Sequence, residues 1–420
     1  MDAIINPTQI GGEISSISSK SHAHRVLICS AFSDSPTEII MDEIISKDIE
    51  VTMGCLTALG CGIKKLKSGG IIVSPIKHYN KDPILDCDES GSTLRFLLPI
   101  VSAIGANATF TGCGRLPQRP ISQLLTQLSA HGITFSSSSL PLTISGKMQN
   151  GIFELSGSQS SQYISGMLLA LPLLCGIGEI KLMSHLQSKS YVDMTVSVMR
   201  DFGADVQELS GGYRVTAPQG YKSPGTVQIE GDWSNSAFWL CLGAISKSVV
   251  CKNLNIGSSQ GDKAIVEILK KYGANVDVSG HDIKVSPNKR KAFYADAADI
   301  PDLVPILSVI ASAADGVSKI SNTQRLKLKE SDRIESTLNM LRSMGGKAEY
   351  EDGTLIIHGQ KELSCGTVDG AQDHRIVMSA AIASCLCHGK LKITDALAVC
   401  KSYPHFFDNF KDLGGLVNVF

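Results

Sequence analysis

Polar side chains stand directly before several apolar runs of this chain, in combinations suited to binding anions. Six such openings lie at residues 19–25, 89–95, 158–162, 188–191, 329–333 and 373–375. Serine and aspartate before an apolar run are typical helix N-caps, so capping alone explains any single opening. A helix N-terminus also offers unpaired N–H groups and a positive dipole end. When a lysine or arginine lies beside them, they form a site for phosphate or carboxylate. Because the pattern recurs, the set predicts binding of small phosphorylated anions.

The segment KLKESDRIESTL is especially rich in charge. Lys329 and Arg333 are four residues apart and Glu330 lies three before Arg333, which places all three about the first turn of a predicted helix. An apolar face opposite them begins at Ile334. Taken alone, this segment favours a solvated ion-pair cluster. A further cation, Arg119, precedes another predicted helix in LPQRPI.

The chain lacks two motifs that would indicate other chemistries. It has no Walker lysine loop and no Gly-x-Gly-x-x-Gly after a predicted strand. Nucleotide hydrolysis and dinucleotide redox chemistry are therefore disfavoured.

Composition narrows the class of protein further. The net charge is −1, aromatic residues make up 5%, and no basic run occurs, which disfavours nucleic-acid binding. No apolar stretch approaches the roughly 20 residues of a membrane span, and residues 1–10 lack a signal-peptide pattern. We therefore expect a cytoplasmic protein that does not bind membranes.

One repeat positions the polar openings: an apolar helix end, a glycine and a short β-like run. It occurs six times, with the glycines 69 to 72 residues apart, at Gly60, Gly132, Gly203, Gly273, Gly345 and Gly414. Glycine readily adopts the left-handed conformation that ends helices. A second strand is predicted after five of the junctions, at residues 71–75, 142–145, 213–218, 282–287 and 355–359.

The sixth copy lacks this return strand, and residues 3–7 have the form of the missing piece. We therefore expect an α/β protein with two similar domains of three helix–strand units each. The N-terminal domain would span residues 18–229, and the C-terminal domain residues 230–420 plus 1–17. The chain would cross between them twice, forming a hinge that could close around a ligand.

Twelve cysteines are scattered singly, and the closest pair is Cys385 and Cys387 beside His388. A metal site would require a second ligand pair, which the sequence does not offer. We expect buried free thiols and no metal site.

Taken in order, the openings resemble the family of 5-enolpyruvylshikimate-3-phosphate synthases. The resemblance covers the whole chain and rests on SKSHAHR (19–25), ESGSTLR (89–95), QRPI (118–121), SSQ (160–162), SKSY (188–191), IPD (300–302), KESDR (329–333), DHR (373–375) and Lys401. It implies an inside-out α/β barrel in each half and a monomeric transferase that needs no cofactor. The implied reaction moves the enolpyruvyl group of phosphoenolpyruvate to the 5-hydroxyl of 3-phosphoshikimate and releases phosphate through a tetrahedral intermediate, on the pathway to chorismate and aromatic amino acids.

The resemblance also implies the binding residues for these two small-molecule substrates. Those for 3-phosphoshikimate would be Lys20, Ser21, Arg25, Ser160, Ser161, Gln162, Ser188, Tyr191, Asp302 and Lys329. Those for phosphoenolpyruvate would be Lys20, Gly91, Arg119, Gln162, Arg333, Arg375 and Lys401. Both halves would have to contribute cations, and we expect the site between them.

The implied chemistry needs a proton delivered to the methylene carbon and one removed from the attacking hydroxyl. We assign Asp302 to the hydroxyl, Glu330 to the methylene group and Lys20 to the departing phosphate. The chain departs from the family's usual pattern at residues 17–18, 24, 89–92 and 325, which leaves the reaction class intact.

Two alternatives stay open. The sister family transfers enolpyruvyl to UDP-N-acetylglucosamine and uses a loop cysteine before an Arg-Pro, as Cys113 precedes Arg119 here, but its Lys-Asn opening is absent. A non-catalytic repeat protein that binds phosphorylated ligands would explain the six units, but it would not require Asp302 and Glu330.

Overall fold

The computed structural model describes residues 1–67 and 69–420, which divide into two compact units. The N-terminal unit is Ser18–Ile229, and the C-terminal unit is Met1–Ile17 together with Glu230–Phe420. The chain therefore passes twice from one unit to the other. Over the described residues each unit contains three four-stranded sheets and six α-helices.

The chain begins with two strands of the C-terminal unit, β1 (Ala3–Asn6) and β2 (Gly12–Ser15). The N-terminal unit follows. Its helices are α1 (Lys20–Ala31), α2 (Lys47–Leu59), α3 (Gly91–Ile104), α4 (Ser122–Ala130), α5 (Ser161–Ala170) and α6 (Lys189–Asp201). Its strands are β3 (Thr37–Ile40), β4 (Gly62–Lys65), β5 (Ile71–Ser74), β6 (Ile84–Asp86), β7 (Ala108–Thr111), β8 (Ile133–Phe135), β9 (Leu142–Gly146), β10 (Ile152–Leu155), β11 (Gly176–Leu182), β12 (Gln207–Leu209), β13 (Gly212–Ala217) and β14 (Thr226–Gln228).

The rest of the C-terminal unit repeats this order. Its helices are α7 (Trp233–Ile245), α8 (Ile265–Tyr272), α9 (Val304–Ser312), α10 (Arg333–Ser343), α11 (His374–Ala383) and α12 (Phe406–Asp412). Its strands are β15 (Val249–Lys252), β16 (Asn275–Ser279), β17 (Asp282–Ser286), β18 (Tyr294–Asp296), β19 (Val317–Ser321), β20 (Lys347–Glu351), β21 (Thr354–His358), β22 (Leu363–Ser364), β23 (Thr367–Val368), β24 (Cys387–His388), β25 (Leu391–Ile393) and β26 (Leu416–Val419). Short 3-10 helices include Pro301–Leu303, Gln324–Leu328 and Ala396–Lys401.

All six four-stranded sheets share one topology. An edge strand pairs in parallel with its neighbour, and two antiparallel strands complete the sheet, as in the order β10-β11-β13-β12. In the last sheet β1 pairs antiparallel with both β25 and β26, with Ala3 opposite Ile393 and Val419. Strands β2 and β14, which adjoin the two crossing points, supply parallel edge strands to β15 and β3.

The first helix of each repeat forms the inside of its unit. Helices α7, α9 and α11 are buried along their whole length, and α1, α3 and α5 over most of theirs. A helix that is apolar on all sides is stable only when surrounded, and the sheets cover these helices. The predicted α/β class, with three helix–strand units per half in an inside-out arrangement, is confirmed.

The six junction glycines all have positive φ, between 74° and 114°. Gly60 ends α2 in this way, and its N–H reaches the carbonyls of Leu56 and Thr57. The five predicted return strands are confirmed as β5, β9, β13, β17 and β21. Among the described residues no helix is both long and apolar enough to cross a bilayer.

Replacing Gly60 with alanine should lower the free energy of unfolding by about 1–3 kcal/mol, the cost of forcing a side chain into a sparsely populated φ region. The φ angle there is 114°, and a Cβ would lie 2.5 Å from the His78 carbonyl oxygen. Gly54, within the same helix, is a matched control because a Cβ there meets nothing within 4 Å. Alanine at Gly54 should raise the free energy of unfolding by about 0.5–1 kcal/mol. Urea unfolding followed by circular dichroism measures both, and equal effects would contradict this account.

Candidate active site

The six polar openings all lie at helix starts, as predicted. The N-cap residues are Ser19, Ser90, Ser160, Ser188, Asp332 and Asp373. Five of them accept a backbone N–H of the first turn with their side chain. The exception is Ser188, which has a left-handed φ of 54° and is 2% exposed. Such a conformation is costly outside glycine and is often retained at functional positions.

Lys20 is the first residue of α1 and is held by α2. Its Nζ lies 2.7 Å from Oδ2 of Asp48, and both side chains are 16% exposed. Asp48 was not predicted as part of the site, since 28 residues separate it from Lys20. The contact fixes the ammonium group near the start of α1.

Arg25 is enclosed by neutral oxygens. Its guanidinium donates to Thr195 Oγ1 (2.7 Å), the Ser21 carbonyl (2.6 Å), the Tyr191 carbonyl (3.0 Å) and Ser165 Oγ (3.4 Å). The side chain is 2% exposed, and burial lowers the pKa of Arg25 to about 10. None of these hydrogen-bond acceptors carries a charge, so the buried cation favours the approach of an anion. The structure thus brings together Ser21, Arg25 and Tyr191.

Gly91 begins α3 and lets two guanidinium groups approach its backbone. A Cβ there would lie 2.7 Å from Nη1 of Arg119 and 2.7 Å from Nη1 of Arg95. Gln162 accepts a hydrogen bond from Arg95 Nη1 at 2.7 Å and donates one to Ser92 Oγ at 2.8 Å. The predicted residues Gly91, Arg119 and Gln162 therefore form one cluster.

Arg95 lies in the predicted opening at residues 89–95, but it is not among the predicted site residues. It is 3% exposed, donates to the Pro120 carbonyl at 3.2 Å and lies over the Tyr163 ring at 5.7 Å. Arg95 is the fifth residue of α3 and Arg25 the sixth residue of α1, and this similar position of an arginine after a helix start is the signal that the sequence offers.

Ser160 and Ser161 lie at the start of α5. The Ser160 hydroxyl accepts from the Gln162 N–H at 3.3 Å, and Ser161 is 8% exposed. The predicted phosphate ligands of the N-terminal unit therefore lie at the starts of α5 and α6.

In the C-terminal unit, Arg333 joins three carboxylates. Its Nη1 lies 2.7 Å from Asp302 Oδ1, its Nη2 2.6 Å from Glu330 Oε2 and its Nε 2.7 Å from Asp373 Oδ2. The Arg333 side chain is 1% exposed. Asp302 and Glu330, which were predicted as base and acid, thus share one guanidinium group.

Asp302 is surrounded by cations. Besides Arg333, Lys329 Nζ lies 3.3 Å from its Oδ1, and Arg375 lies 3.3 Å from its Oδ2. Burial disfavours the charged form, but Arg375, Lys329 and Arg333 together hold the pKa of Asp302 well below its usual range. Asp302 is therefore ionised at neutral pH. Three cations face Asp302, Glu330 and Asp373, so this cluster is close to neutral.

Lys401 lies near the start of α11. Its Nζ donates to the Gln372 carbonyl at 2.8 Å, and Gln372 directly precedes the N-cap Asp373. The predicted residues Lys329, Glu330, Arg333, Arg375 and Lys401 thus lie around the starts of α10 and α11.

The expectation of a solvated ion-pair cluster in KLKESDRIESTL is wrong. Arg333 is buried, and Lys329 and Glu330 precede α10 because Asp332 is its N-cap. The buried carboxylate of Asp373, distant in sequence, pairs with Arg333 and makes this burial possible.

Asp262 is a buried acid that was not among the predicted site residues, and its pKa is affected by the charge of Asp302 in the Arg333 cluster. Asp262 is 2% exposed, and its Oδ2 accepts a hydrogen bond from the Ser234 hydroxyl. Its Oδ1 has no hydrogen-bond partner among residues 1–67 and 69–420. Burial and the charge of Asp302 raise the pKa of Asp262 to about 7.

The expectation that all cysteines are buried is wrong for Cys113 and Cys175, which are exposed. Cys385 and Cys387 are buried, whereas the His388 side chain is 72% exposed. Over the part of the chain that the structure describes, no three His, Cys, Asp or Glu residues are grouped to hold a metal ion.

Comparisons with known proteins agree on one family. Residues 4–410 match the family model of EPSP synthase (3-phosphoshikimate 1-carboxyvinyltransferase). The 3-phosphoshikimate 1-carboxyvinyltransferase of Clostridium kluyveri is 40% identical over 419 residues, covering 99% of this chain and 97% of that protein. That of Clostridium acetobutylicum is 39% identical with the same coverage. The solved structure of EPSP synthase from Acinetobacter baumannii covers 100% of both chains with a TM-score of 0.81 at 23% identity. The enolpyruvyl transferase NikO from Streptomyces tendae has a TM-score of 0.79 at 17% identity, covering 99% of this chain and 98% of its own.

Changing Asp373 to asparagine should lower the free energy of unfolding by about 3 kcal/mol, because one partner of a buried ion pair is lost while Arg333 stays charged. Asparagine is also a good N-cap, so the loss reports the charge. The control is Glu179→Gln, whose partner Arg214 is 42% exposed and which should cost less than about 1 kcal/mol. Equal losses in the two variants, measured by denaturant unfolding, would show that the Arg333 cluster is not a buried network.

Changing Asp262 to asparagine should stabilise the protein increasingly as pH rises from about 4 to 7. In that window the folded wild type keeps a proton on Asp262 that the unfolded chain has released, so the contribution of Asp262 to wild-type stability falls as pH rises. The buried histidines His22 and His24 have lowered pKa values and act in the opposite direction, but they are common to both proteins and cancel in the difference. Asp277→Asn, on the exposed face of β16, should follow the wild type. A difference between Asp262→Asn and wild type that is constant across this pH range would contradict the assignment.

Proposed function

Because the chain belongs to the EPSP synthase family, we propose that it transfers the enolpyruvyl group of phosphoenolpyruvate to the 5-hydroxyl of 3-phosphoshikimate. The oxygen of that hydroxyl bonds to C2 of phosphoenolpyruvate while its methylene carbon gains a proton. The resulting tetrahedral intermediate then loses phosphate and a methyl proton, which restores the double bond. This reaction belongs to the shikimate pathway that leads to chorismate and the aromatic amino acids.

The proposed binding of 3-phosphoshikimate rests on the environment of Arg25. A buried guanidinium whose four acceptors are neutral is suited to a ligand carboxylate, and Ser21 and Tyr191 adjoin it. We assign the phosphate to the serines at the starts of α5 and α6, Ser160, Ser161 and Ser188, with Lys329. Lys20, Gln162 and Asp302 are assigned to the remaining polar groups of this substrate.

Phosphoenolpyruvate is assigned to the cluster around Gly91 and to the cations at the starts of α10 and α11. The backbone at Gly91 is close to Arg119, so an anion at this helix start meets N–H groups and a guanidinium together. The full set is Lys20, Gly91, Arg119, Gln162, Arg333, Arg375 and Lys401.

We assign different roles to the two carboxylates Asp302 and Glu330 of the Arg333 cluster. Asp302, kept ionised by three cations, is assigned as the base that takes the proton of the 5-hydroxyl. Glu330 pairs with the same guanidinium group through its Oε2. A substrate anion that shares Arg333 weakens this pairing and repels the Glu330 charge, which favours proton uptake by Glu330. Glu330 can then act as the acid toward the methylene carbon, and Lys20 supports phosphate departure.

The alternative acceptor, UDP-N-acetylglucosamine, is not favoured. Its support in the sequence was Cys113, whose Sγ donates to Asp88 Oδ1 at 2.8 Å. This hydrogen bond and the Asp88 charge raise the pKa of the Cys113 thiol to about 11, so it is uncharged at neutral pH. A non-catalytic phosphate-binding protein is also not favoured, because its ligands would not require the Asp302–Arg333–Glu330 arrangement.

The proposal extends to location and assembly. All twelve cysteines are free, which suits a reducing compartment such as the cytoplasm. The chain itself supplies every residue assigned to the two substrates, so a monomer suffices for catalysis.

Wild-type protein should release phosphate from phosphoenolpyruvate only when 3-phosphoshikimate is present. Glu330→Gln should lower kcat about 10²–10⁴-fold, as expected for loss of a general acid, while the dissociation constant for 3-phosphoshikimate stays near the wild-type value. Glu335→Gln is the control, because Glu335 is exposed in the first turn of α10, and this variant should leave kcat unchanged. Full activity of Glu330→Gln would remove the acid role, and absence of wild-type turnover would overturn the proposed reaction.

A further inference from the structure

A row of buried polar side chains links three helices of the N-terminal unit. His24 Nδ1 lies 2.8 Å from Thr52 Oγ1, Thr52 Oγ1 lies 2.6 Å from Thr93 Oγ1, and Thr93 Oγ1 lies 2.8 Å from Ser90 Oγ. Each of the four side chains is at most 1% exposed. None of them has a role in the proposed chemistry. Each hydroxyl of the row has a hydrogen-bond partner within it, and such a buried network rigidifies its surroundings. At the end of the row, His24 Nε2 has no hydrogen-bond partner among residues 1–67 and 69–420.

The hydrogen bonds of this row run in one direction. The Thr93 hydroxyl donates to Ser90, so it must accept from Thr52. The Thr52 hydroxyl is then used as a donor and must accept from His24, which therefore carries its proton on Nδ1. Burial holds the pKa of His24 well below its usual range, so the ring is neutral.

The row connects elements that carry the proposed phosphoenolpyruvate ligands. Lys20 and His24 are four residues apart on α1, and their partners Asp48 and Thr52 are four apart on α2, so two contacts at matching spacing join the helices. Thr93 extends the second contact to α3. There Ser90 caps the helix by accepting the Thr93 N–H at 3.3 Å, directly before Gly91.

Capping alone explains only one of these bonds. The Ser90 cap requires the Thr93 backbone N–H, and it would form without the Thr93 hydroxyl, Thr52 or His24. The additional side chains tie the first turn of α3 to the helix that carries Lys20. A displaced helix start would misdirect the N–H groups and the backbone at Gly91.

We propose that His24, Thr52 and Thr93 are positioning residues that hold the start of α3 in register with Lys20 and thereby set the affinity for phosphoenolpyruvate. This inference rests on the proposed function. The residues act through Ser90 and Gly91 and touch neither substrate. Their loss should therefore affect phosphoenolpyruvate selectively, leaving 3-phosphoshikimate binding at the starts of α5 and α6 unchanged.

The test is Thr52→Val, which keeps the shape of the side chain and removes the hydroxyl in the middle of the row. The KM for phosphoenolpyruvate should rise about 5- to 30-fold, the range expected for the loss of one buried hydrogen-bond partner. The kcat and the KM for 3-phosphoshikimate should stay at wild-type values. Thr52→Ser, which restores a hydroxyl, should recover the wild-type KM.

The matched control is Thr37→Val. Thr37 is fully buried in the same unit and bonds only outside the row, with its Oγ1 2.7 Å from Ser223 Oγ. This variant should lose stability without a change in the KM for phosphoenolpyruvate. If Thr52→Val does not fold, Thr93→Ala breaks the same row with a smaller side chain and should show the same selective rise.

An unchanged KM for phosphoenolpyruvate in a folded Thr52→Val or Thr93→Ala variant would overturn the inference. So would an equal rise in KM for both substrates. Either result, obtained with an active wild-type enzyme, leaves the proposed function intact. A wild-type protein without turnover would instead contradict the proposed function itself.

Discussion

Charge placed at the buried start of an apolar helix must be compensated where it lies, and most of the active-site structure follows from this constraint. The first helix of each repeat is surrounded by protein, so neither its terminal N–H groups nor a nearby cation can rely on bulk water. The protein meets the requirement in two ways. Arg25, in the second turn of α1, is enclosed by neutral oxygens. Arg333, the first residue of α10, is enclosed by three carboxylates, one of which is Asp373, the N-cap of the buried helix α11.

These two solutions have different consequences for binding. Around Arg25 the hydrogen bonds are satisfied but the charge is not balanced by its bonding partners, so a ligand carboxylate adds a favourable interaction. Around Arg333 the charge is balanced before any substrate arrives, and a new anion must share a guanidinium with Glu330. In the proposed function the first arrangement is assigned to substrate binding, and the second is assigned to coupling substrate binding with proton uptake by Glu330. The missing side chain of Gly91 lets Arg95 and Arg119 approach a helix start.

Local signals in the sequence were sufficient for the fold class, the six helix starts and the return strands. Glycine at a helix end and serine or aspartate at a helix start act within a few residues, so Gly60 and Ser90 could be interpreted without tertiary information. The partners of the site cations could not be predicted from such local signals. Asp48 meets Lys20 across 28 residues and Asp373 meets Arg333 across 40, and only packing brings them together. For the same reason the exposure of Cys113 and the burial of Arg333 were misjudged from neighbouring residues alone.

The measurement that tests the central claim most directly is phosphate release from phosphoenolpyruvate by the wild-type protein with each acceptor in turn. The account predicts release with 3-phosphoshikimate and none with UDP-N-acetylglucosamine or without an acceptor. Release that depends on UDP-N-acetylglucosamine would contradict the assignment of the helix starts to 3-phosphoshikimate. If no phosphate is released with either acceptor, the buried charges form only an anion-binding scaffold, and the catalytic account is contradicted.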